Sequence, residues 1–177
     1  MYRLWPRAGG VMDVKAQVFR LAKMSSMIRA LTIALILLPL VFFASVALGN
    51  RLLLTPAVLL VLIYAWIWLR FRPSSFVVFP DTLEVIWPLK CRRIPREDIA
   101  SVRLINKEEL LREAGKGMRV GAGGLWGGFG WLWSDKRGIV QMYVSRADGL
   151  VWIERVSNRP WLITPEDPEN FVRALSR

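Results

Sequence analysis

The chain has 177 residues, 54% of them apolar, with nine Trp, a single Cys, no His and a formal net charge of +11. The lack of His and the lone Cys91 exclude disulfide frameworks, Cys- or His-based metal centres and the commonest general base, so neither a cofactor nor catalysis is expected. The charge is not a nucleic-acid footprint: residues 1–72 carry nine Lys/Arg against Asp13 alone, whereas residues 73–177 carry sixteen against thirteen acids.

Residues 1–29 hold Arg3, Arg7, Lys15, Arg20, Lys23 and Arg29. Val14, Val18, Leu21 and Ala22 fall on one side at helical spacing. Residues 1–27 therefore read either as a short amphipathic helix on a membrane surface or as a mobile basic tail.

Two uncharged runs follow, Ala30–Leu48 and Leu52–Leu69, separated only by Gly49-Asn50-Arg51. Each approaches the ~20 residues a helix needs to cross a bilayer core. The short turn makes them antiparallel, so residues 28–72 are expected to form a transmembrane hairpin. The first run is longer than a signal-peptide core and the second follows at once, so it is expected to stay uncleaved. Cations lie before the first span and after the second, at Arg70 and Arg72, with only Arg51 in the turn. Both termini are therefore expected in the cytoplasm. Pro39 can kink the first span, whereas Pro56 sits near a helix start and is benign. Arg29, Tyr64, Trp66, Trp68, Arg70 and Arg72 are the candidate interface residues. Neither span carries a charge, so the two helices alone offer no transport pathway.

After Pro73 the pattern changes to short β-like runs. Phe76–Phe79 and Thr82–Trp87 flank a Pro80-Asp81 turn, and Cys91–Ile94 is a third strand that Ile99–Ile105 continues or follows. Lys107–Ala114 is rich in helix formers and ends at Gly115. Beyond the glycine-dense stretch Gly121–Gly130, strands are expected at Phe129–Trp133, Ile139–Val144, Leu150–Val156 and Trp161–Ile163. A last helix opens at Thr164-Pro165, with an apolar stripe of Phe171, Val172 and Leu175 that needs a surface to pack on. Seven strands and one amphipathic helix make a small barrel or sandwich with one end plugged.

The strand–Pro-Asp–strand opening, Arg-Arg-Ile-Pro-Arg-Glu-Asp-Ile at 92–99, Gly-Gly-Phe-Gly at 127–130 and the closing Trp-Leu-Ile-Thr-Pro-Glu-Asp-Pro-Glu-Asn-Phe-Val at 161–172 together resemble the bacterial pleckstrin-homology-like domains. The resemblance covers residues 73–177. It implies a seven-stranded antiparallel barrel capped by a C-terminal helix, a mainly-β domain behind a membrane α-hairpin. It also implies a bacterial inner-membrane location, because in several such families the domain follows a transmembrane pair. It implies little about activity.

Three features are candidate sites. Lys90, Arg92, Arg93 and Arg96 are the densest cations of the β part, suited to a lipid headgroup or an acidic partner, or simply a solvated strand face. The usual phosphoinositide hairpin of eukaryotic PH domains corresponds to Phe79-Pro80-Asp81-Thr82, which has no base. The glycines at 121–130, with Lys116 and Arg119 upstream, precede a strand rather than a helix, so they read as a bend or a ligand contact before a phosphate loop. Trp126, Phe129, Trp131 and Trp133 exceed what a small core can hold, so some of them form an exposed partner patch. Cys91 is expected to be a buried or half-buried structural thiol.

The expected function is a non-enzymatic scaffold at the cytoplasmic membrane face. It would bind another membrane protein or its own copies as a homo-oligomer. Anionic-lipid recognition, or service as an accessory subunit of a membrane enzyme or transporter, are the alternatives.

Overall fold

The structure, a computed structural model, describes residues 16–176. Most of the basic N-terminal segment, including Val14 and Lys15, lies outside them. The described chain begins with strand β1 (Gln17–Arg20), then helices α1 (Ser26–Ala47) and α2 (Leu54–Arg70) joined by a 3-10 turn at Arg51–Leu53. Strands β2 (Ser75–Val78), β3 (Thr82–Ile86), β4 (Cys91–Pro95) and β5 (Ile99–Ile105) follow, then helix α3 (Lys107–Ala114). Strands β6 (Gly117–Gly123), β7 (Gly128–Ser134), β8 (Gly138–Val144), β9 (Leu150–Arg155) and β10 (Trp161–Ile163) lead to helix α4 (Pro168–Leu175).

The two long helices are apolar on every side. Only 11% of the first span and 6% of the second is buried by the rest of the molecule, which separates them from the core helices of a soluble domain. They are candidate membrane spans. Ser25 caps α1, its Oγ accepting from Ile28 N at 3.4 Å. Pro39 has no N–H, so it leaves the carbonyl of Leu35 without its helical donor. Tyr64 of α2 supplies the missing donor, its hydroxyl lying 3.0 Å from Leu35 O. Tyr64 thus joins the two helices. Tyr64→Phe is expected to cost about 1 kcal/mol and lower the thermal midpoint of the detergent-solubilised protein by roughly 2–4 °C.

The β part is two sheets, not one closed seven-stranded barrel. The first has the order β1-β2-β3-β4 and the second β5-β9-β10-β8-β7-β6. Among the described residues ten strands replace the expected seven: β5 is separate from β4, the glycine stretch contributes to β6, and β1 arrives from before the hairpin. The pairing is not wholly antiparallel either, because β10 lies between β9 and β8 and runs parallel to β8.

The N-terminal segment is neither amphipathic helix nor tail where it is described. Gln17–Arg20 pairs antiparallel with β2, residue for residue from Gln17↔Val78 to Arg20↔Ser75. Its periodicity is two: Phe19 and Leu21 are buried, whereas Val18 and Arg20 are exposed. Beyond Arg20 the chain stitches the sheets together. Ala22 N donates to Thr164 O at 2.9 Å, Glu166 N to Arg20 O at 2.8 Å and Ser145 Oγ to Ala22 O at 2.6 Å.

Two apolar layers result. Phe19, Phe76, Val85, Phe129, Trp161 and Phe171 belong to a core enclosed by the first sheet, the inner face of the second and α4. Leu132, Met142, Trp152 and Leu162, on the outer face of the second sheet, pack under α3. Burial on both faces explains why Leu150–Ile153 reads as a continuous apolar run. Helix α3 carries a capping box between Asn106 and Glu109. Helix α4 starts later than Thr164: Asp167 is its cap and Pro168 its first residue, while Thr164 is buried and its Oγ1 accepts from Ser145 N at 2.9 Å.

Candidate functional site

Strand β3 fixes the two ends of the β part. At its Thr82 end, Arg96 N donates to Asp81 O at 2.9 Å and Arg96 Nη1 to Ala174 O at 3.3 Å, so α4 and the plugged end lie here. At its Ile86 end the turn Trp87–Lys90 meets the hairpin. Trp87 Nε1 donates at 3.1 Å to the carbonyl of Phe71, the residue that follows α2. Leu89, at the tip of that turn, is 63% exposed. The turn therefore abuts the exit of the second candidate span and holds out an apolar side chain beside it.

Cations converge on this end. The Lys90 ammonium lies 4.4 Å from the centroid of the Trp87 ring, and the Arg72 guanidinium 4.3 Å from that of Trp68. Arg70 completes the group at the last residue of α2, favourably placed at the helix's negative end. Among the described residues, none of Arg70, Arg72 and Lys90 forms an ion pair. Burial, and then the charges of Arg70 and Arg92, push the Lys90 pKa below the usual lysine range. Lys90 and Arg70 thus stand close enough to repel each other, and Lys90 and Arg72 each rest on an aromatic ring without an acidic partner among the described residues.

The four expected cations of 90–96 do not share one surface, because successive strand residues face opposite ways. Arg92 shares the face of Ile94, stacks 5.2 Å from the Trp161 centroid and donates to Gln141 Oε1 at 3.2 Å, bridging the two sheets. Arg93, on the other face, pairs with Glu84 at 2.8 Å. Arg96 sits at the plugged end. Lys90 and Arg92 remain near the hairpin, where Arg70 and Arg72 join them. Cys91 is an exposed thiol rather than a buried one; desolvation and the Glu84 carboxylate raise its pKa against the opposing charge of Arg93.

The tip of the β6–β7 hairpin is the second contact with the helices. The hydroxyl of Thr32 in α1 accepts from Trp126 N at 2.9 Å and lies 2.8 Å from Ile28 O, 3.1 Å from Gly124 O and 3.8 Å from Met24 Sδ, the acceptors within reach of its own proton. The Trp126 ring meets Trp68 edge to face, with centroids 4.7 Å apart. Thr32 was legible as the lone polar side chain in the first half of its run, but not as a docking group. Thr32→Val preserves shape and deletes the acceptor. The Trp126 amide is then expected to exchange at least tenfold faster, with protection in β2–β4 unchanged, by hydrogen-exchange measurement.

The aromatic residues divide. Phe129 is in the core at 1% exposure, and Trp126 is partly buried against the hairpin. Trp131 and Trp133 continue the Phe129 face beyond the first sheet and are 39% and 61% exposed. Their register partners on β6, Val120 and Met118, are exposed as well. β6 is an outer strand of its sheet. Gly121 and Gly130 face each other in register at φ +137° and +135°, and a Cβ built on either would lie 2.9 Å from the other's Cα. The glycines are structural here. Arg29 and Trp66 stay exposed on α1 and α2.

A bent, two-sheet β domain plugged by a C-terminal helix, with cations outside any ion pair at one end and an aromatic face uncovered among the described residues, is a binding module, here carried beside two candidate membrane spans. The chain belongs to the bacterial PH domain family: the family model described as Bacterial PH domain matches residues 74–177. Domains of this family are generally non-catalytic. The match omits β1, which this chain adds from the far side of the hairpin. No curated protein and no solved structure matches the chain.

Proposed function

We propose that this protein is a membrane-anchored, non-enzymatic interaction module. Residues 28–72 span the bacterial inner membrane as a hairpin with both termini cytoplasmic, and residues 73–177, completed by β1, form the PH-like domain at the cytoplasmic face. The β1–β2 pairing supports the topology, because the chain on either side of the hairpin enters the same sheet. Two further tethers, Trp87 to Phe71 and Trp126 to Thr32, hold the domain in a fixed attitude beneath the helices. The observation that carries the interaction reading is the Trp131–Trp133–Val120–Met118 surface, which no other element covers among the described residues. Its ligand is a protein, either a second copy or another membrane protein.

Cys91 is the sole cysteine and is exposed, so it is a built-in reporter of sidedness. A membrane-impermeant maleimide is expected to label it in inverted vesicles and not in sealed cells; the reverse pattern overturns the topology. A photo-crosslinker placed at Met118 is expected to give a discrete protein adduct in membranes, lost with Trp131→Ser and Trp133→Ser together. Adducts to lipid alone overturn the protein-partner reading.

The unpaired Arg70, Arg72 and Lys90 favour a second reading, in which the headgroup of an anionic lipid is the ligand. Replacing all three by Gln removes about 1 kcal/mol each, so retention of phosphatidylglycerol by the purified protein is expected to weaken by roughly 100-fold. Unchanged retention, measured by native mass spectrometry, rules this site out.

A further inference from the structure

A cavity of about 480 Å³ opens on the outer face of the second sheet, on the opposite side from the Trp131–Trp133 surface. Leu132, Met142, Val144 and Leu162 form its floor, and Leu110 and Leu111 of α3 its wall. Lys107, Lys116 and Arg119 stand at its margin, and its lining contains no acid. None of these three cations forms an ion pair among the described residues. Glu113 of α3 is engaged elsewhere by Arg103 and Arg137, at 2.6 and 2.7 Å, and the Asp135 carboxylate, which lies against Gly115 of the lining, pairs with none of the three cations.

The groove exists because α3 has only eight residues and covers part of the sheet. The rest of the outer face of β6 and β7 carries no side chain: Gly121, Gly123, Gly128 and Gly130 share the face of Leu132, the first two exposed, Gly128 half-buried and Gly130 buried. This strip of glycines leads from the cavity to Gly124, where a Cβ would press on Leu31 of α1 at 2.8 Å. The groove is thus continuous with the surface that meets the first candidate span.

We infer that this groove binds a single-chain anionic lipid, its acyl chain along the apolar floor and its head between Lys107, Lys116 and Arg119. The cavity falls within the roughly 300–1,000 Å³ typical of small-molecule sites. A helix 10–12 Å across fills about 430–610 Å³ per turn, so an amphipathic helix would seat only about one turn. A polymethylene chain matches the apolar floor, and three cations outside any ion pair select a negative head. The strip of glycines gives it a path from the bilayer. The inference rests on the membrane-anchored reading only for that path.

The test uses the full chain in phosphatidylcholine nanodiscs, probed with a diazirine-bearing palmitate and with the corresponding palmityl alcohol. Adducts are mapped by peptide. Saturable palmitate labelling of the α3 and β6–β8 peptides is expected, with the alcohol about tenfold weaker. Lys116→Gln combined with Arg119→Gln, both on exposed residues, is expected to weaken palmitate labelling there about tenfold and leave α1 and α2 labelling unchanged. Labelling confined to α1 and α2 overturns the groove while sparing the membrane reading. Absence of label from α1 and α2 overturns the membrane reading instead. Equal labelling by acid and alcohol, or insensitivity to the double substitution, overturns recognition of an anionic head.

Discussion

Phe19→Ala is expected to destabilise the β domain by about 3 kcal/mol, although residue 19 lies outside the matched family segment. Phe19 is buried, meets Phe171 of α4 edge to face at 5.2 Å, and sits opposite Phe76 in the register of β1 and β2. Truncation opens a cavity between the first sheet and the plugging helix, where neighbours relax only in part. A fragment starting at Pro73 loses more: the β1 pairing, the Ala22 and Arg20 links to Thr164 and Glu166, and the cover over Phe76. It is expected to aggregate through the unpaired edge of β2, while the full chain stays monodisperse in detergent. Thermal unfolding followed by near-ultraviolet circular dichroism checks both. A fragment as stable as the full chain would make β1 a passive addition.

The second large effect is expected at Asp98. Its carboxylate accepts from Arg155 Nε at 3.1 Å, again from Arg155 Nη2, from Ser157 N at 3.2 Å and from Asn158 Nδ2 at 3.1 Å. The Arg155 side chain is 5% exposed and lies 6.0 Å from the centroid of the Trp161 ring. Asp98→Ala leaves that guanidinium buried without a counter-charge, at a cost of about 3–5 kcal/mol. That is a large share of the roughly 5–15 kcal/mol that holds a domain folded. Asp98→Ala with Arg155→Met is expected to recover most of the loss, because the pair costs far less to remove than to break.

Acid reports on the same group. Burial alone would raise the Asp98 pKa, but the hydrogen bonds from Arg155 and Ser157, the Arg155 charge and Asn158 together hold it below the usual carboxylate range. A carboxylate whose folded pKa is depressed stabilises the fold above its unfolded pKa of about 4, and that contribution is lost as pH falls through the folded value. Wild type is therefore expected to lose stability more steeply below about pH 4 than Asp98→Ala. Parallel acid-unfolding curves would show that the pair is not coupled to the fold.

The hairpin was plain in the sequence because absence of charge over eighteen or more residues has few other meanings. Helix α3 was plain because KEELLREA concentrates helix formers before Gly115. Strand β1 was hidden for a topological reason: four residues carry little periodicity, and their partner β2 lies beyond the whole hairpin. The apolar set Val18, Leu21 and Ala22 also fits a helical wheel, and tertiary pairing with an exposed edge decided between the two. β6 was hidden by composition, since glycine carries no strand preference of its own; its pairing with β7 imposes the conformation. The basic run at 90–96 is dispersed despite its linear proximity, because alternation and strand length carry Arg93 and Arg96 away from Lys90. Arg70, twenty residues upstream, is a cation that lies near Lys90 in space, as Arg92 does. Cations read as two features, topology signal and strand cluster, are one at the hairpin end.

A strand from before the hairpin completes the domain that follows it. Arg20 and Ser75 are register partners across β1 and β2. In a Cys91→Ser background, Arg20→Cys with Ser75→Cys is expected to form an intramolecular disulfide in membranes under mild oxidation. Gln17→Cys with Ser75→Cys, displaced by three residues or about 10 Å along the strand, is expected to stay reduced. Rapid closure of the first pair alone is the predicted result. Equal rates for both pairs, or no disulfide in either, would contradict it and leave the domain hanging from α2 alone.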